Sequence, residues 1–99
     1  MDSAAVGLIK RRRNQILVHS VIYYRLNDNI IDDFTFDKWS KELAELQRSY
    51  PEESAAAPYY EAFADFDGST GALLPIHDPH IVARAQSVLA YHKKRKGMI

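Results

Sequence analysis

The sequence predicts an all-α domain, on three observations. Apolar residues recur every three or four positions in three separate stretches. Clusters of Asn, Asp, Pro and Gly punctuate the chain between those stretches. The 99 residues suffice for one core and no more, so the whole chain, 1–99, reads as a single domain. The expected parts are an N-terminal antiparallel αα-hairpin over 3–52, a short third helix and an extended Gly-containing loop over 53–78, and a C-terminal helix over 79–96.

Each element has its own local reason. The first helix, from about Ala4 to Leu26, has Ser3 as its expected N-cap. Val6, Ile9, Leu17, Val21 and Tyr24 lie at helical spacing, and Ile16, Val18 and Ile22 widen the apolar face toward the end. Asn27-Asp28-Asn29 is turn chemistry, because such side chains bond nearby backbone. The second helix is expected after Asp33 and ends near Tyr50, with Phe36, Trp39, Leu43 and Leu46 as its stripe. Pro51 is read as its stop. Glu52 to Pro58 reads as a loop, and Tyr59 to Phe66 as the short third helix, packing Tyr60, Phe63 and Phe66. Gly68-Ser69-Thr70-Gly71 breaks it, and Ala72-Leu73-Leu74-Pro75-Ile76 looks extended. Asp78-Pro79 supplies a cap followed by proline in the first helical position. Ile81, Val82, Ala85, Val88, Leu89 and His92 then trace one face of a helix ending near Gly97.

Composition narrows the function classes. An apolar fraction of 46% and a charged fraction of 26% are ordinary for a globular chain. No apolar run spans a bilayer, and the acidic start Met1-Asp2 is unlike a secretory leader, so no membrane contact is expected. Cysteine is absent, which removes disulfides and thiolate metal sites and agrees with a cytoplasmic protein. Net charge is zero, yet eleven acids fall within residues 28–67. The balancing bases concentrate in Lys10-Arg11-Arg12-Arg13 and Lys93-Lys94-Arg95-Lys96. These runs have two readings: solvated helical faces, or a joint surface for the phosphates of DNA.

The most informative stretch runs from Tyr23-Tyr24 through the turn to Asp33, Phe36 and Asp37. The last three stand at i, i+3 and i+4 on one side of the second helix. A hairpin brings them toward the tyrosines, and rings with carboxylates suit a flat, cationic, hydroxyl-bearing ligand. A plainer reading makes Asp33 a helix cap, pairs Asp37 with Lys41, and places Tyr23 and Phe36 in the core.

The order Tyr-Tyr, turn, Ile, Asp, aromatic, Asp, followed by Lys-Glu-Leu-Ala-Glu-Leu and Tyr50-Pro51-Glu52, resembles the N-terminal domain of bacterial NAD-dependent DNA ligases. In that family the domain grips the nicotinamide mononucleotide (NMN) half of NAD. The resemblance covers about Gln15 to Glu52. It implies that Tyr23 and Tyr24 are the aromatic pair, Asp33 and Asp37 the two acids, and Phe36 the remaining ring, where the family usually carries tyrosine. It also implies NAD or NMN as the cofactor, and it looks like the short ligase-related proteins that phages and prophages encode.

The catalytic machinery of that family is not read here. Its nucleophile is the lysine of a Lys-x-Asp-Gly motif. The nearest string, Asp65-Phe66-Asp67-Gly68, has an acid in that place, and no nucleotidyltransferase domain follows. The expectation is a noncatalytic binding or interaction module. The alternatives are a factor that modulates a host protein or nucleic-acid enzyme through its helix faces, and a DNA-binding protein using the two basic runs. Trp39 and Tyr91 are the candidates for a homodimer interface.

Three smaller features complete the reading. Asp65 to Thr70 resembles a phosphatase nucleophile loop, but the flanks lack its strand and sheet, and a calcium loop, but the glycine comes too early and the twelfth-position glutamate is absent, leaving a tight turn. His77 and His80 lack a third ligand, so no metal is expected. His19 and His92 are isolated.

Overall fold

A computed structural model describes residues 1–28, 30–68 and 74–97, in the order α1 (Ser3–Tyr24), α2 (Asp33–Ser49), α3 (Pro51–Ala56) and α4 (Pro79–Gly97). All four elements are helices, as the periodicity predicts. The expected extended segment 72–76 lies partly, and the turn at 69–71 wholly, outside the described residues.

Helix α1 is the spine. It packs against α2, α3 and α4. Ile9, Ile16, Leu17, Val21 and Ile22 are fully buried, and from residue 16 to 22 every side chain but His19 is buried. A helix enclosed on several sides needs this broad apolar coverage rather than a narrow stripe. Its cap is Asp2, not Ser3: the carboxylate accepts from the amides of Ala4 and Ala5 at 2.9 and 3.2 Å. A carboxylate also suits the positive end of the helix dipole better than a hydroxyl does. The helix ends at Tyr24, two residues short of the expected Leu26.

Helix α2 runs antiparallel to α1, since Arg12 meets Glu42 whereas the later His19 meets Trp39. It begins at Asp33 itself, because Asp32 takes the capping role and accepts from the Thr35 amide at 2.7 Å. Those bonds to Thr35 hold the Asp32 carboxyl below its ordinary pKa.

Two expectations for the middle of the chain fail. Residues 52–56, read as the start of a loop, belong to α3, with Pro51, read as a stop, at its first turn. Proline stops one helix and suits the opening position of the next, where no amide partner is required. Conversely, Tyr59 to Phe66 is not a helix but a run of turns, with Ala64 bonded back to Glu61 and Phe66 to Phe63. Tyr59 sits at φ 67°, in the left-handed region that a bulky side chain seldom enters, so a regular helix cannot start there. Phe63 is nonetheless fully buried, whereas Tyr60 is exposed.

Gly68 closes this segment at φ +88°, buried against α2. A Cβ built there would stand 3.1 Å from the Ser40 carbonyl oxygen. The chain then enters α4 as predicted: Asp78 accepts from the amides of His80 and Ile81 at 2.9 and 3.4 Å, and Pro79 follows it. Ile81 and Ala85 are fully buried in the shared core, while Val88 is exposed.

His19 lies beside Trp39, ring centroids 5.6 Å apart, and its Nδ1 is buried without a hydrogen-bond partner. Burial lowers its pKa below the ordinary 6.5. The unfolded chain therefore binds the proton more tightly than the folded one. Stability is full above about pH 6.5 and declines as pH falls below it. Thermal melts from pH 8 to pH 5 are expected to show that decline, and a His19→Phe variant to flatten it; an unchanged slope in the variant would assign the decline to other groups.

Candidate functional site

The end of α1 supplies the aromatic pair. Tyr23 and Tyr24 meet edge to face, centroids 4.9 Å apart, and expose 52% and 39% of their surface. Tyr24, counted above with the core stripe, is thus at the surface. Two adjacent positions on a helix end point about 100° apart, which is why the rings meet at an edge rather than stack. With Asn27 and Asp28 they line a depression of about 540 Å³. Asn27 holds φ 52°, a conformation that asparagine tolerates, and the Asp28 amide bonds back to the Ile22 carbonyl at 3.0 Å. The turn is thereby folded against the end of α1. Lys93 of α4 reaches this same turn, its Nζ lying 3.2 Å from Asp28 Oδ2.

The first turns of α2 carry the acids. Because Asp32 is the cap, Asp33 is not engaged in capping and stands exposed. Asp37 follows one turn later, pairing with Lys41 at 2.9 Å as the plainer reading expects. Residues at i and i+4 are neighbours on a helix surface, so the two carboxylates share one flank. Phe36 is half-buried and packs against the core. Asp37 lines a second, open groove of about 810 Å³ along α2, together with Leu8, Phe34, Lys41 and Leu46. Asp37 and the tyrosines thus line separate depressions, while Asp33 and Phe36 line neither of these two. Asn27 and Asp28, read above only as turn residues, join the tyrosines.

The basic runs do not form one surface. Arg13 is fully buried, and its guanidinium donates to five acceptors: Gln47 Oε1, the carbonyls of Ser54, Ala57 and Pro58, and Ser54 Oγ, at 2.6–3.1 Å. Burial lowers its pKa, opposed by the charge interaction with Tyr60. Arg12 pairs with Glu42 at 3.0 Å and lies over the Trp39 ring. Only Lys10 and Arg11 of that run are exposed. At the other end, Lys93 joins Asp28 and Arg95 lies over Tyr91, while Lys94 is exposed; the Lys96 side chain is outside those described. The helical rise separates Lys10 from Tyr24, next to Asp28, by about 21 Å. The solvated-face reading fails at Arg13, and the joint DNA surface lacks the side-by-side placement it requires.

Among the described residues no group of three or more His, Asp or Glu is arranged to hold a metal ion. His77 instead accepts from the Arg25 guanidinium at 2.9 Å, the only direction open to a group that cannot accept. No helix among the described residues is long and apolar enough to cross a membrane.

Comparison with known proteins agrees with the sequence resemblance. The family of DNA ligase-like, N-terminal NAD+-binding domains matches residues 3–57. The chain is 46% identical to the DNA ligase of Thermotoga petrophila over 44 residues, which are 44% of this chain and 6% of that enzyme. It is 33% identical to the DNA ligase of Leptospira interrogans over 67 residues, 67% of this chain and 10% of that enzyme. With the DNA ligase of Parabacteroides distasonis the identity is 40% over 62 residues, 63% of this chain and 8% of that enzyme. The chain thus spans a tenth or less of the length of these relatives. No solved structure matches. With more than half of its residues matched, the chain belongs to the family of DNA ligase-like N-terminal NAD+-binding domains.

Proposed function

We propose that this domain binds a nicotinamide nucleotide, either NMN or the NMN half of NAD, and catalyses no reaction by itself. The observation that carries the reading is the pair Tyr23–Tyr24, two ring systems left open to solvent beside a depression of about 540 Å³, a volume usual for small-molecule sites. A ring face attracts the delocalised cation of an oxidised nicotinamide. The carboxylates of Asp33 and Asp37 accept hydrogen bonds from ribose hydroxyls or the carboxamide. Asp37 must first leave Lys41, an exposed partner whose loss costs little. Phe36 offers an apolar edge without the hydroxyl that the family usually has. Within the 99 residues no Lys-x-Asp-Gly string supplies a nucleophile for adenylation.

Calorimetric titration with NMN tests this directly. Binding is expected in the wild type, with a Tyr24→Ala loss of about tenfold in affinity. Asp33→Asn and Asp37→Asn variants test the part of the α2 acids, since Asp37 lines the α2 groove. Absence of heat with both NMN and NAD, together with unshifted Tyr24 and Asp37 NMR signals, would overturn the proposal.

A second reading is favoured by Phe34, 76% exposed on the groove along α2 with Leu8 beside it. An apolar ring in that position suits contact with a larger protein, as a phage-type modulator of a host enzyme would require.

A further inference from the structure

We propose that Lys93 is the phosphate-binding residue of the nucleotide site, exchanging its pairing with Asp28 for the ligand's phosphate. The inference rests on the nucleotide reading above and adds a residue from outside the family match, which ends at 57.

The argument begins with charge. The residues assigned to the ligand, Tyr23, Tyr24, Asp33, Phe36 and Asp37, are aromatic or anionic. They suit the cationic ring and the ribose of NMN, but none neutralises its phosphate. Asp28, on the wall of the tyrosine depression, adds a further negative charge. A phosphate entering this site meets repulsion unless a cation stands close by.

The fold brings one there. Helix α4 packs on α1 and extends its last turns toward the α1–α2 connection. Lys93 Nζ stands 3.2 Å from Oδ2 of Asp28, a residue that lines the depression. Of the neighbouring basic side chains, Arg25 donates to His77 and Arg95 lies over the Tyr91 ring, while Lys94 is exposed and serves below as the control. The Lys93 side chain keeps 64% of its surface exposed, so its four-carbon stem can turn without disturbing the core. An exposed lysine–carboxylate pair contributes little to stability, and a phosphate offers more charge and more acceptor oxygens than a carboxylate. The exchange therefore favours the phosphate.

Titrating the full chain with NMN and with nicotinamide riboside, which lacks only the phosphate, tests the assignment. The wild type is expected to bind NMN about tenfold more tightly than the riboside, with the difference shrinking as salt is raised. Lys93→Met is expected to abolish that preference while leaving riboside affinity unchanged, and Lys93→Arg to restore most of it. Unchanged thermal melts would show that the loss is not unfolding. An undiminished NMN preference in Lys93→Met would overturn the inference while the nucleotide site stands, because the riboside still binds. An equal loss in Lys94→Met would overturn it in favour of a diffuse field. Failure of the wild type to bind either compound would overturn both proposals together.

Discussion

Replacing Arg13 with methionine is expected to lower stability by about 3–5 kcal/mol, a large share of the ~5–15 kcal/mol that holds a typical domain together. Methionine matches the stem in length but leaves Gln47, Ser54 and the carbonyls at 54, 57 and 58 without their donor. Those carbonyls belong to the exit of α3, just before the left-handed Tyr59. The guanidinium therefore holds the strained turn as well as filling the space over the Phe63 ring, 5.8 Å away. Arg13→Lys is expected to recover little, since an ammonium cannot span the same fork of acceptors. Urea denaturation followed by circular dichroism measures both, and a methionine variant within 1 kcal/mol of wild type would contradict this account.

A Gly68→Val variant is expected to cost about 2–3 kcal/mol, for two reasons that act together. The residue sits at φ +88°, where a β-branched side chain is strained, and its Cβ would press on the Ser40 backbone at 3.1 Å. Backbone, unlike a flexible side-chain tip, cannot step aside. Gly68→Ala isolates the close approach with less strain and is expected to fall between the two. Thermal denaturation of the three proteins gives the order directly, and equal melting temperatures would show that the turn can withdraw from α2. The glycine in Asp65-Phe66-Asp67-Gly68 is thus explained by docking on a helix, without any phosphate or calcium chemistry.

The helices were legible where periodicity had a single cause. In α2 and α4, one face packs and the other meets water, so stripe and cap together locate each within a residue or two. Pro51 was harder, because the same rigid ring ends α2 and opens α3. The turns at 59–66 were illegible because Tyr59 adopts its unusual dihedral for reasons that lie 46 residues away, at Arg13. Arg13 itself left a signal: it stands on the stripe Ile9, Arg13, Ile16 and Leu17, the only base of its run to do so. The family-like residues were readable from order and spacing. Spacing alone did not tell which of two consecutive acids caps α2, nor that Asp28 would be met by a lysine from the far end of the chain.

The central place of α1 has a consequence for synthesis. Of the four helices, α1 is made before the three that pack on it, so each later helix must close against it. Its side toward Ile81 and Ala85 stays bare until about sixty further residues have emerged. Nascent chains halted before α4 therefore present a sticky strip of isoleucine, leucine and valine, and are candidates for capture by a chaperone.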